Sequence, residues 1–231
     1  MSETPEQLTL ELPHREAHGA EDFLVSGCNE AAVIAVDRWP DWPHPAIAVA
    51  GPPGSGKSHL VNVWRARSGA LMLPAAELSE ASASRFGAHQ AIAIEDIDRG
   101  IADEQALFHI LNMAAEQRLS VLLTSRRAPG ELAIALPDLR SRLRALPLIS
   151  IASPDEALLR ALLVKLFADR QLVVEPHVVS YLALRIERST EAAQRVVAEV
   201  DRLALASRRR VTRALAAEVL ARLAPPDEAG A

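Results

Sequence analysis

One eight-residue segment restricts the fold more than any other part of this chain. Residues 51–58 read GPPGSGKS and match the pattern G-x-x-x-x-G-K-[ST], between the apolar run Ala46–Ala50 and a helical pattern that starts at Lys57. Glycines at these positions let backbone N–H groups curl around phosphate oxygens at the positive end of the following helix. Only two of the 25 basic residues are lysines, so a chance match is on the order of a few in ten thousand. The segment therefore predicts a phosphate-binding loop.

The individual loop residues have predicted roles in binding a nucleotide together with Mg²⁺. The Lys57 ammonium is expected to reach the β- and γ-phosphates, and the Ser58 hydroxyl is expected to bind Mg²⁺. The residues expected around the phosphates are Gly51, Pro52, Pro53, Gly54, Ser55, Gly56, Lys57, Ser58 and His59. The sequence leaves open whether the working nucleotide is ADP or ATP.

Two acidic residues, Glu95 and Asp96, follow the apolar run at 91–94. Two acids after a strand form a solvated turn in most proteins. Near a phosphate-binding loop, however, carboxylates at a strand tip can bind the metal ion and orient the attacking water. We therefore predict that Glu95 and Asp96 are catalytic residues, and that Glu95 joins Ser58 as a metal ligand.

Short apolar runs alternate with helical patterns over the first two thirds of the chain. Strands are predicted at 46–50, 70–73, 90–95, 121–124 and 148–151, and helices at 57–68 and 103–118. Beyond Ser153, helical patterns follow without strands at 155–170, 175–186, 189–206 and 212–223. The alternation indicates an α/β fold, with a five-stranded parallel sheet covered by helices on both faces and a small all-helical domain after it.

The same patterns predict how the chain is divided. The predicted parts are a tail at 1–15, an α/β nucleotide-binding domain at 16–153, a helical lid at 154–224 and a second tail at 225–231.

Composition excludes several classes of protein. The formal net charge is -5, which argues against a broadly basic nucleic-acid-binding surface. Cys28 is the only cysteine, so an intrachain disulfide framework is not expected. The sequence contains neither a signal peptide nor an apolar run of the ~20 residues that a membrane span requires. We expect a soluble, cytoplasmic protein without a membrane partner.

The order of the motifs resembles that of the DnaA-type AAA+ replication initiators. The stretches that carry the resemblance, besides the phosphate-binding loop and the acidic strand tip, are DFLVSGCN at 22–29, LTSRRAP at 123–129 and LPDLRSRL at 136–143. The similarity extends over about residues 21–223 and includes the helical lid. It implies an AAA+ fold that binds adenine nucleotide, with Phe23 and Val25 in the segment that grips the adenine.

A short N-terminal stretch, Gln7-Leu8-Thr9-Leu10-Glu11-Leu12, is similar to peptides that bind the DNA polymerase III beta sliding clamp. The resemblance implies that Leu10 and Leu12 fill an apolar groove of the clamp while Gln7 hydrogen-bonds at its rim. Leu8, on the same face of an extended strand, is also expected to bind the partner. Glu11 stands where proline is common, so weaker binding is expected. An edge strand, or a disordered tail with a few apolar residues, is the alternative interpretation.

Two features together are typical of family members that regulate the initiator rather than act as initiators. The chain ends soon after the lid, so a helix-turn-helix DNA-binding domain is not expected, and it carries the clamp-binding stretch. The implied partners are the sliding clamp and the initiator DnaA, with DNA contacted only through the clamp. A homodimer is left open.

Family alignment places an arginine finger at Arg142, within Ser141-Arg142-Leu143. Such a guanidinium reaches a neighbouring subunit's γ-phosphate and can change the rate of phosphoryl transfer by ~10³–10⁵. A solvated basic turn, or a set of ion pairs with the chain's own acids, is the alternative for this stretch.

At two positions the chain departs from the initiators. Arg126 stands where they carry an acid, and Glu191 stands where their lid presents an arginine to the phosphates. Both residues are predicted to lie at the nucleotide. In one alternative Arg126 and Glu191 form an ion pair with each other. In the other, Arg126, Arg188 or Arg195 makes the phosphate contact. Efficient ATP hydrolysis by this chain alone is therefore not expected.

The stretch 207–213, SRRRVTR, is the one basic cluster in the sequence. It lies between two predicted lid helices, so a solvated connection is the expected structure. Contact with nucleic acid or a partner is the alternative.

The leading functional hypothesis is a nucleotide-binding regulator that bridges the clamp and the initiator. A self-sufficient ATPase that loads or remodels nucleic-acid complexes is the alternative, and the clamp-binding stretch favours the first. A small-molecule kinase is disfavoured because no motif for a second phosphate substrate is found.

Overall fold

The computed structural model describes residues 24–82, 90–116, 119–207 and 209–223. The strands are β1 (Ala46–Ala50), β2 (Leu71–Pro74), β3 (Ala91–Glu95), β4 (Ser120–Ser125) and β5 (Leu148–Ser150). The helices include α1 (Glu30–Asp37), α2 (Lys57–Ser68), α3 (Glu104–Ala115), α4 (Pro137–Ala145), α5 (Glu156–Asp169), α6 (Pro176–Ala183), α7 (Thr190–Ser207) and α8 (Arg213–Leu223). Short 3-10 turns occupy Ala75–Glu77, Ile97–Arg99 and Pro129–Glu131.

The strands form one parallel sheet in the order β2-β3-β4-β1-β5. Every residue of β1 is buried, and so are the first four residues of β3. Strands in the middle of a parallel sheet are covered on both faces, which explains why their sequences are apolar runs rather than alternating patterns. The predicted fold class, a five-stranded parallel sheet with helices, is confirmed.

Successive residues of each strand point to opposite faces of this sheet. On one face Ala48, Ile94 and Leu123 pack with side chains of α3 and α4. On the other face Val49 and Leu122 pack with side chains of α1 and α2. The helices therefore cover both faces, as the sequence predicts.

A separate cluster of buried side chains joins α5, α6, α7 and α8. Helix α7 contributes Val196, Val197 and Val200, which lie on one face at helical spacing. Helix α5 begins at the cap Asp155, whose carboxylate accepts a hydrogen bond from the Leu158 N–H at 2.7 Å. The predicted division of the chain near residue 153 stays a prediction, which limited proteolysis would test.

Two helices near the site were not predicted from the sequence. Helix α1 has eight residues, and the segment before it is ordered by Asn29, whose side chain bonds the Ser26 N–H and the Leu24 carbonyl. Helix α4 starts at Pro137, a residue that favours the first helical turn. On α4, Leu139 and Leu143 lie one turn apart and both are buried. The solvated turn considered for this stretch is therefore wrong.

Some predicted features lie outside the described residues. They are the clamp-binding stretch with Gln7, Leu8, Leu10 and Leu12, the adenine-segment residue Phe23, Arg208 and the C-terminal tail. Within the described ranges, no helix combines the length and apolarity needed to cross a bilayer.

The buried strand β4 should be sensitive to loss of side-chain volume. Leu123 is 0% exposed, so Leu123→Ala leaves a cavity and should lower the free energy of unfolding by about 2–5 kcal/mol. Val164 on α5 is 50% exposed, so Val164→Ala should change the free energy of unfolding by less than about 0.5 kcal/mol. Urea unfolding followed by circular dichroism measures both values. Equal losses in the two variants would contradict the assignment of Leu123 to the core.

Candidate nucleotide-binding site

The glycine-rich loop fits tightly between β1 and α2. A Cβ atom added at Gly51 would lie 2.3 Å from the Ile151 carbonyl oxygen, so only glycine allows this close approach. Gly54 has φ +66°, a left-handed conformation that side chains rarely adopt. The Gly51 N–H donates to the Ser125 carbonyl at 3.1 Å, which fixes the loop to the end of β4.

The start of helix α7 rests directly on this loop. The Thr190 N–H and hydroxyl both donate to the Gly54 carbonyl, at 2.7 and 2.9 Å. A Cβ at Gly54 would lie 2.5 Å from the Ser189 Cβ. Ser189 also caps α7 by accepting the Ala192 N–H at 3.0 Å. Sequence reasoning missed this contact, although the Ser-Thr pair before an apolar periodic run is a helix-start pattern.

Lys57 is the buried cation of the loop, with 8% of its surface exposed. Its ammonium donates to the carbonyl oxygens of Gly51 and Pro52 at 2.7 and 2.9 Å. Burial lowers the pKa of Lys57, and the carboxylates of Asp96 and Asp98 oppose this effect. A partly desolvated ammonium interacts strongly with phosphate because little water competes with the anion.

A cleft of about 350 Å³ opens where the loop, the strand tips and α7 meet. The predicted residues that line it are Pro53, Gly54, Gly56, Lys57, Ser58, His59, Asp96, Arg126 and Glu191. Arg99, Thr190 and Gln194 also line the cleft and were not predicted. The fold thus brings phosphate-loop residues, a strand-tip carboxylate and lid residues into one space.

The two strand-tip acids have different surroundings. Asp96 lies in the cleft with φ 57°; its N–H donates to the Thr124 hydroxyl at 3.0 Å and its carboxylate pairs with Arg99 at 3.2 Å. Glu95 is only half-buried and does not line the cleft. One of its carboxylate oxygens is buried and makes no hydrogen bond within the described part of the chain. Such an oxygen is available to a cation or to a bound water.

Asp98 was missed by the sequence analysis. Its side chain is 7% exposed, and Oδ1 accepts the Arg126 N–H at 2.9 Å and the Ser125 hydroxyl at 3.4 Å. The other oxygen lies 3.8 Å from Arg126 Nε. Arg126 therefore pairs with Asp98, and the suggested pair with Glu191 is wrong. Arg188 and Arg195 are exposed and do not line the cleft.

Arg142 lies on the exposed face of α4, outside this cleft. Its guanidinium carbon sits 5.5 Å from the centre of the Phe108 ring. The segment before α4 is fixed by Glu104, whose carboxylate accepts the N–H groups of Ala135 and Leu136 at 3.0 and 2.6 Å. The helix that carries Arg142 is thereby held to α3.

Val25, predicted in the adenine segment, is half-buried and packs against the α1 and α2 side of the core. Because Phe23 lies outside the described residues, the adenine contact of this segment stays a prediction.

The described residues fit a nucleotide with Mg²⁺. The tight glycine positions leave a cradle of backbone donors at the start of α2, where the first N–H groups have no partner inside the helix. No group of three or more His, Cys, Asp or Glu side chains that could hold a metal occurs in the described ranges. Mg²⁺ does not require such a group, because it binds through one or two protein groups together with phosphate oxygens and water. Ser58, which lines the cleft, is a group that would contribute, whereas Glu95 lies outside the cleft lining and stays a predicted ligand.

No protein-family model matches the sequence. Among curated proteins, the chain is similar to the chromosomal replication initiator protein DnaA of Cutibacterium acnes, with 24% identity over 230 residues. The similarity covers 89% of this chain and 46% of that protein, so the chain spans about half of its relative's length.

The fold has counterparts among solved structures. Domain III of the Thermotoga maritima replication initiation protein DnaA superimposes with a TM-score of 0.77 at 16% identity, covering 88% of this chain and 95% of that chain. The chain has an AAA+ P-loop NTPase fold. A structure of the replication initiator DnaA bound to AMPPCP and single-stranded DNA gives a TM-score of 0.65 at 18% identity, covering 80% of this chain and 63% of that chain.

The contact between Gly54 and α7 should matter for nucleotide binding. Gly54→Ala forces a Cβ against Ser189 and should weaken ADP binding at least tenfold, a difference of about 1.4 kcal/mol. Gly69→Ala is the matched control, because Gly69 also has φ +66° but a Cβ there meets nothing within 4 Å. Isothermal titration calorimetry with ADP should show that only the first variant loses affinity. Equal affinity in the two variants would rule out a role for the loop–lid contact.

Proposed function

We propose that this chain is an adenine-nucleotide-binding AAA+ regulator of chromosome replication initiation, of the kind represented by Hda. In this proposal it docks on the sliding clamp through its N-terminal stretch and stimulates ATP hydrolysis by the initiator DnaA, which inactivates the initiator. The observation that carries the nucleotide part is the cleft that joins Lys57, Ser58, Asp96 and Arg126.

Each group of the cleft has a task in binding the nucleotide. Lys57 and the N–H groups at the start of α2 bind phosphate oxygens, and a bound nucleotide supplies the anions that these donors need. Ser58 would contribute its hydroxyl oxygen to Mg²⁺, and Asp96 lies at the cleft wall where it can orient water. Glu95, the other predicted metal ligand, precedes Asp96 and lies outside the cleft lining. Thr190 ties the lid to the same loop, so the lid closes one side of the site.

The surroundings of two residues, Arg126 and Glu191, support the proposal that the chain itself hydrolyses ATP only slowly. Arg126 is held by Asp98 through its backbone N–H and at 3.8 Å through Nε. Glu191 brings a negative charge into the cleft from the first turn of α7, where it suits the helix dipole but repels phosphate. In the proposal, Asp98 and Glu191 offset part of the positive charge that Lys57, Arg99 and Arg126 bring to the cleft, which slows hydrolysis.

The position of Arg142 supports its action on a second protein. The residue is exposed on α4 and lies outside the chain's own cleft, while Glu104 fixes the segment that leads into its helix. A guanidinium in such a place can complete the active site of a neighbour, where it stabilises charge that develops during phosphoryl transfer.

The clamp-docking part rests on the sequence of residues 7–12. Leu8, Leu10 and Leu12 alternate on one face of an extended peptide, which suits an apolar groove, and Gln7 provides a polar group at one end.

The alternative function is a self-sufficient ATPase that loads or remodels nucleic-acid complexes. The unpaired Glu95 oxygen is a carboxylate group available for metal or water. The rate of ATP turnover by the isolated chain discriminates between the two, because a rate of ~1 s⁻¹ or more belongs to an efficient phosphoryl-transfer enzyme.

Lys57 provides a direct test of nucleotide binding. Lys57→Ala removes the buried ammonium and should weaken ADP binding about 100-fold or more, because charge-assisted hydrogen bonds to phosphate are lost. Lys165→Ala is the matched control, since it removes the chain's other lysine, which pairs with Asp169 on α5 at 2.8 Å. Calorimetry with ADP measures both affinities, and an unchanged value for Lys57→Ala would refute the assignment of the loop.

Arg142 provides the test of the regulatory mechanism. Arg142→Ala should leave clamp binding and ADP affinity unchanged but abolish the stimulation of initiator ATP hydrolysis, because the charge acts in the partner's site. Arg142→Lys should rescue poorly, since an ammonium lacks the guanidinium fork. The assay mixes DNA-loaded clamp, ATP-bound initiator and each variant, and follows conversion of labelled ATP to ADP.

Three further variants serve as controls in this assay. Arg140→Ala and Arg144→Ala remove the same charge from α4 and should retain stimulation. Gln7→Ala with Leu10→Ala should lose both clamp binding and stimulation while keeping ADP affinity. Full stimulation by Arg142→Ala would show that no finger acts from this position.

A further inference from the structure

The helical lid carries a basic surface that the proposed function does not use. Tyr181 on α6 is stacked against two arginines: the guanidinium carbon of Arg185 lies 4.0 Å from the ring centre and that of Arg213 lies 4.8 Å from it. Arg209 and Arg210 are exposed in the connection that leads into α8. We call these four arginines and Tyr181 the lid arginine surface.

The charge of this surface is only weakly neutralised by the chain. Arg209 pairs with Glu218 at 2.9 Å, but the same carboxylate also binds Arg222 at 2.7 Å. Over the described ranges, no carboxylate forms an ion pair with Arg185, Arg210 or Arg213. A chain with a net charge of -5 thus presents a local patch of the opposite sign.

The arrangement holds the guanidinium groups in place. Arg185 contacts the ring and also donates to the Tyr181 carbonyl at 3.3 Å. Arg213 is in the first turn of α8, where the helix dipole disfavours a cation, so its position is not explained by helix stability. Stacking on an aromatic ring restricts the planar guanidinium and leaves its N–H edges free for bidentate hydrogen bonds.

From these features we infer that the lid arginine surface binds the phosphodiester backbone of a nucleic acid directly. The inference goes beyond the proposed function, in which DNA is reached only through the clamp, and it does not depend on the clamp. Fixed guanidinium edges suit discrete phosphates along a strand, and guanidinium planes also stack with unpaired bases. An anionic membrane attracts basic residues without requiring fixed geometry, so the stacked arrangement favours nucleic acid.

Fluorescence anisotropy with the full chain tests this inference. The probes are labelled single-stranded and duplex DNA of about 30 nucleotides or base pairs, titrated between about 50 and 200 mM salt. The chain should bind at least one of the two, and the comparison shows which form is preferred. The double variant Arg185→Gln with Arg213→Gln should weaken DNA binding about tenfold. The slope of log affinity against log salt concentration should become shallower by the equivalent of about one to two phosphate contacts.

The matched control is Arg38→Gln with Arg65→Gln, which removes the same charge from exposed positions of the α1 and α2 region. It should change affinity by less than about twofold. A second pair of variants tests the stacking without changing charge: Tyr181→Phe should bind as the unchanged chain does, and Tyr181→Leu should bind more weakly. Thermal unfolding of every variant verifies that the lid is folded.

Three results would overturn the inference. The first is absence of binding to both DNA forms at the lowest salt concentration. The second is an equal effect of the lid and control double variants, which would indicate a general charge effect. The third is binding to phosphatidylserine vesicles without binding to DNA, which would assign the surface to membranes.

Discussion

The parallel pairing of the central strands is the constraint on which the site depends. Strand β1 pairs with β4 on one side and β5 on the other, and β3 pairs with β4, all in the same direction. Because the carboxyl ends of parallel strands meet at one edge, the phosphate loop after β1, Asp96 after β3 and Arg126 after β4 must lie near one another. An antiparallel pairing would send one of these groups to the opposite edge.

Electrostatics within the cleft depend on a second pairing that forms only because β3 and β4 are neighbours. Asp98 follows β3 and Arg126 follows β4, and the nearly buried carboxylate accepts the backbone N–H of Arg126 as well as facing its side chain. The Arg126 side chain is 39% exposed, so solvent screens its attraction to the carboxylate at 3.8 Å, and the backbone hydrogen bond is the shorter contact. The carboxylate of Asp98 thus offsets part of the positive charge that Arg126 brings to the cleft.

The sequence predicts the strands and long helices well because buried parallel strands are apolar runs and long amphipathic helices repeat every three to four residues. Helix α2 and strand β1 were predicted with their observed bounds, and the other four strands differ by at most one residue at each end. Helices α1 and α4 were missed because neither shows a clear helical pattern: α1 carries a continuous apolar run at 31–36, and α4 buries only Leu139 and Leu143 among mostly polar residues. The partner of Arg126 and the Thr190 contact were missed for another reason: both depend on which elements become neighbours in space, which local patterns do not encode.

The double hydrogen bond from Thr190 to the Gly54 carbonyl has a thermodynamic consequence. The free energy of the loop conformation includes a contribution from the first residue of α7, so the loop and the lid do not change independently. If a ligand in the cleft and a ligand on the lid each favour one arrangement of this contact, the first alters the affinity of the second. By reciprocity the lid ligand alters the affinity of the cleft by the same factor. Occupancy at the strand tips and at the arginine-rich face of the lid would in this way be coupled through a single carbonyl oxygen.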